Sequence, residues 1–337
     1  MINTLIIDDS SLARDILRDF LSEDGSFNII GEAVDGEDGV QKILSLNPDL
    51  VTLDLEMPRM NGLEVIDNVM KKMSVPIVVI SSHDTAKTAY EATLKGALEF
   101  YSKDTFTSNL IPEKRKEIFE TLKRISGIKS KASAFVEEPV FIKIPEIRKI
   151  SAVVLASSTG GPKALSRFFS LLSGNFPVPI IIVQHNSPGF DESFAQWLGG
   201  FTPLKVNLAE EGKIAEPGTV YIAQTGKHLE LRVRGHDMIL KYNNGAAENN
   251  QKPSADVLFR TAAESLGQSV ISVVLTGMGN DGAAGTRRIR EMGGITLAQD
   301  EKSSLIYGMP KAAADTGFVD MILPLDRIPR ELVRLTK

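Results

Sequence analysis

The residues best suited to chemistry lie where apolar runs stop. Ser151-Ala152-Val153-Val154-Leu155-Ala156 gives way to Ser157-Ser158-Thr159-Gly160-Gly161-Pro162, after which Leu165, Phe168, Phe169 and Leu172 recur at helical spacing. Strand, tight turn and helix start are the expected order, with unpaired backbone N–H groups at the positive end of the helix. A serine nucleophile and an oxyanion site can share such a turn. So can a phosphate cradle, although the chain has neither the P-loop Lys-Ser/Thr ending nor the three-glycine dinucleotide spacing here. The turn alone leaves both open. Two more apolar runs end in candidates: residues 179–184 run into His185, and 269–275 run into Thr276-Gly277-Met278-Gly279-Asn280-Asp281-Gly282. The carboxyl ends of parallel strands share one edge, so Ser158, His185 and Asp281 can meet there as nucleophile, base and imidazole-orienting carboxylate.

Each of these residues also has an ordinary structural reading. A strand-end histidine is often just hydrogen-bonded, Asp281 can cap the helix starting at Gly282, and Trp197 reads as core. His228, in Gly226-Lys227-His228-Leu229, is the rival base; His83 and His236 lack comparable strand-end partners.

The first third of the chain carries a different set. Asp8 and Asp9 follow the apolar run 4–7, Asp54 follows 50–53, Ser81 follows 77–80, and Lys103 lies just beyond 98–101. Three carboxylates on one sheet edge repel one another unless a cation lies among them, and a hard divalent ion such as Mg²⁺ suits oxygen ligands. A carboxylate held there beside a lysine can accept a phosphoryl group.

The elements that must position these residues alternate. Five strand–helix repeats over residues 1–126 predict an α/β fold with a doubly wound parallel sheet, closing with a helix over 112–128. From residue 150 a second parallel sheet is expected from the runs 151–156, 179–184, 269–275, 295–298 and 318–323. A small antiparallel meander is expected over 219–223, 229–233 and 238–242. Between them, residues 127–149 show no sustained period and read as a linker, although Phe135, Val136, Val140, Phe141 and Ile142 are too apolar for a free tether and predict partial packing.

Composition bounds the rest. At 337 residues and 24% charged, the chain has room for two globular domains; with no cysteine it has no disulfide, thiolate nucleophile or Cys-based zinc site. A net charge of −5 and the lack of a basic recognition helix argue against nucleic acid binding. Without a signal-like start or an apolar run near ~20 residues, a cytoplasmic protein with no membrane insertion is expected.

Across residues 1–126 the motifs Ile7-Asp8-Asp9-Ser10, Leu53-Asp54 through Asn61-Gly62, Ile80-Ser81-Ser82 and Phe100-Tyr101-Ser102-Lys103 resemble the response-regulator receiver domain, of flavodoxin-like fold. The resemblance implies Asp54 as phosphoacceptor, Asp8, Asp9 and Asp54 as the Mg²⁺ site, and Ser81, Phe100 and Lys103 as the switch. Asp104 stands where the family usually has proline; a cis bond there would cost ~3–4 kcal/mol, so a trans Lys103–Asp104 bond and an altered loop are expected.

Residues 150–337 resemble the chemotaxis protein-glutamate methylesterase (CheB) family, through Ser158-Thr159-Gly160-Gly161-Pro162, Val183-Gln184-His185, Phe194-Ala195-Gln196-Trp197-Leu198, Pro253-Ser254-Ala255-Asp256, the Leu275-to-Gly282 segment and Tyr307-Gly308-Met309-Pro310. A Rossmann-like sheet is implied, with Ser158, His185 and Asp281 catalytic and backbone N–H groups near Thr159 and Met278 as oxyanion donors. Ala156, Ser157 and Gln224-Thr225 depart from the usual family residues, and Ser157 places a second hydroxyl beside the nucleophile. The implied activity is hydrolysis of glutamate γ-methyl esters on methylated chemoreceptors with release of methanol, and glutamine deamidation of the same acyl-transfer kind. The implied phosphodonor is a histidine kinase, and no cofactor is implied for the ester chemistry. The alternative is a phosphorylation-gated binding or adaptor protein, which an esterase assay discriminates.

Overall fold

Short buried strands followed by capped helices build both halves of the chain. The computed structural model describes residues 1–82, 86–106, 110–128, 140–141 and 149–337, in two units, Met1–Ala132 and Ser133–Lys337. His83 and the linker residues Phe135, Val136 and Ile142 lie outside the described residues, and of Val140 and Phe141 only the backbone is described.

In the first unit β1 (Ile2–Ile7), α1 (Ser11–Ser22), β2 (Phe27–Ala33), α2 (Gly36–Leu46), β3 (Leu50–Leu53), α3 (Gly62–Met70), β4 (Ile77–Ser81), α4 (Ala86–Lys95), β5 (Glu99–Ser102) and α5 (Pro112–Ser126) follow in turn. The strands lie in the order β2-β1-β3-β4-β5, all parallel. Every residue of β3 and β4 is buried, as expected of strands covered by helices on both faces. Local chemistry sets the helix starts: the Asp35 carboxylate accepts from Asp38 N at 2.9 Å, and Asn61 and Glu64 form a reciprocal capping box on α3. That box fixes the return of the chain after Asp54, where Gly62 N donates to Leu55 O at 3.0 Å.

The second unit comprises β6 (Val140–Phe141), β7 (Ala152–Ser157), α6 (Gly161–Phe169), β8 (Ile180–Gln184), α7 (Asp191–Gly199), β9 (Lys205–Leu208), β10 (Thr219–Ile222), β11 (His228–Arg234), β12 (Asp237–Asn243), α8 (Ala255–Leu266), β13 (Val270–Val274), α9 (Ala283–Glu291), β14 (Ile295–Gln299), α10 (Met309–Asp315), β15 (Met321–Leu323) and α11 (Ile328–Leu335). Eight strands form one sheet in the order β6-β15-β14-β13-β7-β8-β10-β9. Its pairings are parallel except for β6 on β15, so residues 140–141 of the linker form a strand of this sheet. β7, β8 and β13 are wholly buried; each fully buried Val, Leu or Ile there contributes about 1.5–3 kcal/mol.

The expected three-stranded meander needs correcting. β11 and β12 form an antiparallel hairpin, but β10 belongs to the main sheet, parallel to β8 and β9. Its four residues are all buried, which suits a strand covered on both faces rather than one in a half-exposed ribbon. The sequence reading also missed β9, whose alternately exposed residues include Lys205 and Asn207. Among the described residues no helix is long and apolar enough to cross a membrane.

Candidate functional site

β13, β7 and β8 are neighbours, with Val274 opposite Ala156 and Ala156 opposite Val183. The loops that follow stay tied together: Leu275 N donates to Ala156 O at 2.9 Å, His185 N to Ser157 O at 3.1 Å and Ser158 N to Thr276 O at 3.0 Å. The sheet thus delivers all three predicted loops to one edge. Ser157, the last residue of β7, is fully buried and its hydroxyl donates to Gln184 Oε1 at 2.6 Å, whereas Ser158 is 8% exposed at the strand end. The two neighbouring serines are therefore not equivalent. Past Ser158 the chain reverses through Gly160 at φ +75°, a left-handed conformation that glycine adopts without a Cβ penalty, and Pro162 sits in the first turn of α6.

Asp281 does not cap the helix that follows it; that N-cap is Gly282 and has no side-chain bond. Its carboxylate instead sits on the N-terminus of α8. It accepts from Ser254 Oγ (2.6 Å), Ala255 N (2.7 Å), Asp256 N (3.2 Å) and Asn249 Nδ2 (3.2 Å). It also pairs with His185 Nε2 at 2.9 Å. Burial would raise this acid, but the His185 contact and the donors from Ser254 and Ala255 bring it down to about 2. An ionised Asp281 only accepts, so Nε2 carries a proton, and an imidazole with that single proton presents its lone pair at Nδ1. Nδ1 is buried and has no hydrogen-bond partner among the described residues. A buried ring nitrogen left without a partner is unusual, and it stands out at this edge.

The edge of the first unit is built from charge. Asp54 Oδ1 accepts from Leu55 N at 2.7 Å and Ser81 Oγ at 3.0 Å, while Lys103 Nζ lies 2.7 Å from Asp54 Oδ2 and 2.8 Å from Asp8 Oδ2. Burial raises the Asp8 carboxyl even with Lys103 beside it; the two carboxylates raise Lys103 although its own burial opposes this. One oxygen each from Asp8, Asp9 and Asp54 lies within 4.8 Å of the others. An all-oxygen set with two buried members and an exposed third fits a hard divalent cation that keeps water and binds phosphoryl oxygens. Phe100 is buried with its ring edge-on to Tyr90 at 4.9 Å. The Lys103–Asp104 bond is trans, as expected, and opens a 3₁₀ turn over Lys103–Phe106.

Comparison with known proteins agrees in both halves. Residues 153–332 match the CheB methylesterase family and residues 4–113 the response regulator receiver domain. The chain belongs to the CheB methylesterase family. It is a methylester hydrolase with a receiver domain in front. A protein-glutamate methylesterase/protein-glutamine glutaminase of Pyrococcus abyssi is 38% identical over 99% of this chain and 93% of its own length. One of the same name from Thermotoga maritima is 34% identical over 99% and 98%. The crystal structure of the Thermotoga maritima CheB methylesterase catalytic domain, 38% identical, covers 56% of this chain and all of its own, with a TM-score of 0.55.

Several features of this CheB-family site were not legible beforehand. His228 is no rival base: Nε2 contacts Ala246 O at 2.8 Å, and Nδ1 accepts from Ser254 N at 3.2 Å, so both nitrogens hold the loop before α8. Asn249 Nδ2 donates to Asp256 Oδ2 at 2.7 Å as well as to Asp281, spacing two buried carboxylates. Ser254 caps α8, its hydroxyl accepting from Asp256 N at 3.2 Å, and the same helix start receives Asp281. Thr225, in the unusual Gln224-Thr225 pair, donates through N and Oγ1 to Asp191 at 2.8 Å each, so side-chain bonds tie this loop to the start of α7.

Proposed function

We propose that the chain hydrolyses glutamate γ-methyl esters on methylated chemoreceptors, deamidates receptor glutamines by the same chemistry, and is activated by phosphorylation of Asp54 by a histidine kinase. The receiver is assigned to residues 1–126, the linker to 127–149 and the hydrolase to 150–337. The observation that carries the hydrolytic reading is the orphaned, buried His185 Nδ1, whose partner nitrogen is fixed by an ionised Asp281 beside the Ser158 turn. The names borne by the full-length relatives support the substrate.

In this reading Nδ1 takes the Ser158 hydroxyl proton as Oγ bonds to the ester carbonyl carbon. Backbone N–H groups of Thr159 and Met278 receive the oxyanion, at the turn before α6 and the loop after β13. The proton passes from His185 to the departing methoxy oxygen, releasing methanol and leaving a Ser158 acyl-enzyme. Water, deprotonated by the same Nδ1, then frees the glutamate carboxylate and restores Ser158. With glutamine the leaving group is ammonia. Asp281 stays ionised throughout and stabilises the imidazolium.

In the receiver, Asp8, Asp9 and Asp54 would hold Mg²⁺, which when bound neutralises phosphoryl oxygens. Asp54 is the acceptor, Lys103 supplies a fixed positive charge, and Ser81 and Phe100 are the side chains placed to respond.

Methanol release from methylated receptor is the test. Ser158→Ala should abolish it with the fold intact, and a serine-reactive phosphonate should label Ser158. Activity that survives Ser158→Ala but not Ser157→Ala would overturn the assignment.

A further inference from the structure

The ladder between β7 and β8 ends where His185 N donates to Ser157 O. Beyond it the two chains part, one turning into α6 and the other into the loop before α7. The nucleophile and the base are the first residues past that point. The Gln184 side chain, 2% exposed, crosses it. Its Nε2 donates to Ser158 O at 3.2 Å and to His185 O at 2.9 Å, and its Oε1 accepts from Ser157 Oγ at 2.6 Å. The amide orientation is not arbitrary. Two backbone carbonyls can only accept, so they require the NH₂ end, and the Ser157 hydroxyl must then donate to the oxygen. The space is reserved as well: a Cβ on Gly161 would lie 2.0 Å from Oε1.

We propose that Gln184 is a positioning residue that sets the alignment of Ser158 with His185, and that Ser157 acts through it by holding its amide in register. This rests on the hydrolytic reading above. Ser157, which could pass for a second nucleophile, is thereby given a different task. The bridge joins the two residues that must exchange a proton, and it does so at their own carbonyl groups, so displacement at either end changes the distance that proton travels. Misplacement by about 1 Å can cost on the order of 10²-fold in rate.

The full-length chain is compared with Gln184→Met, which keeps the volume and removes all three bonds, and with Ser157→Ala. Active sites are counted by stoichiometric phosphonate labelling, so that kcat is expressed per competent site. Gln184→Met should lower kcat for methanol release by roughly 10- to 100-fold with KM within a factor of about two, since alignment in the transition state is lost rather than substrate binding. Ser157→Ala should lower kcat several-fold, and the double variant should be no slower than Gln184→Met, because Ser157 acts only through Gln184. Phosphonate labelling of Ser158 should slow in the same order. A purely structural role would reduce the number of labelled sites and the melting temperature while leaving kcat per site unchanged, and that result overturns the proposal. Should Gln184→Met fail to fold, Ser157→Ala decides alone: kcat per site unchanged within a factor of about two refutes it. Ser158→Ala serves as the control that separates the two ideas, because hydrolysis near the parent rate there defeats the hydrolytic reading whatever the Gln184 variants do.

Discussion

The two halves of the chain put their reactive groups at the same place, the carboxyl edge of a parallel sheet, and stock it in opposite ways. In the first unit full charges face one another: Lys103 lies 2.7 and 2.8 Å from two carboxylates, with a third acid nearby. In the second a neutral hydroxyl and an imidazole lie at the strand ends, and the carboxylate that orients the imidazole is 2% exposed and saturated with donors. The difference fits what the proposed function asks of each edge. A phosphoryl group arrives already activated, so its acceptor chiefly needs counter-charge, which Lys103 and a divalent ion can supply from several directions. An ester needs a nucleophile generated on the spot, which requires one proton path and one imidazole tautomer. Charge clusters tolerate imprecise geometry; proton paths do not.

The sharpest way to break this contrast is Asp281→Asn. Every neighbour of the Asp281 carboxylate is a donor, so an amide there puts its NH₂ either in the Oδ1 place, against Ser254 Oγ and Asp256 N, or in the Oδ2 place, against Ala255 N and His185 Nε2. The second arrangement forces the proton onto Nδ1 and removes the base. Methanol release should fall on the order of 10³- to 10⁴-fold while uptake of phosphate from acetyl phosphate is unchanged. A loss below tenfold would mean that tautomer control is not what the second edge supplies.

Asp54→Asn probes the other edge. It keeps the shape but removes the nucleophilic oxygen, so phosphate incorporation should vanish, and a phosphodonor should no longer raise methanol release. Basal hydrolysis should stay within a factor of about two, since Asp54 has no part in the proposed ester chemistry and its partners Leu55 N, Ser81 Oγ and Lys103 Nζ all belong to the first unit. Phosphate still incorporated by this variant would refute Asp54 as acceptor; lost basal activity would show that the two edges are not independent.

Much of this was readable because strong apolar strands stop abruptly at polar residues: β1, β3, β7, β8 and β13 each announce a strand end, and strand ends of parallel sheets converge. What was not readable is long-range. The ordinary alternative for Asp281, a cap on α9, arose because sequence shows only the next helix, whereas its partner α8 begins 26 residues earlier. β10 reads like any apolar strand, and nothing within it says whether its neighbour is β8 or the hairpin that follows. β9 escaped because an edge strand with Lys205 and Asn207 has no apolar run to give it away. Gln184 could be quoted as part of a motif, yet its bonds to Ser157, Ser158 and His185 exist only once β7 and β8 are side by side.

The smallest expected effect is on acid stability, and it separates a carboxylate used for geometry from one that is merely buried. Asp281 is held near 2 in the folded chain against an ordinary 3.8. Its folded value is depressed, so the unfolded chain binds the proton first as pH falls. The stabilisation it supplies is complete above about pH 4 and is lost as pH drops towards 2. Asp256 next to it has the opposite sign, because burial raises its carboxyl above 3.8 despite the Gly285 N–H at 2.6 Å. Its protonation in the folded state favours folding as pH falls, so the two acids partly cancel in the native chain. Urea unfolding of the hydrolase unit, followed by Trp197 fluorescence between pH 5 and 3, should therefore lose less stability with acid in Asp281→Asn than in the parent. In Asp256→Asn it should lose more. Parallel slopes in all three proteins would show that the donors from α8 and His185 do not select the ionised form of Asp281, and the tautomer argument for Nδ1 would lose its footing.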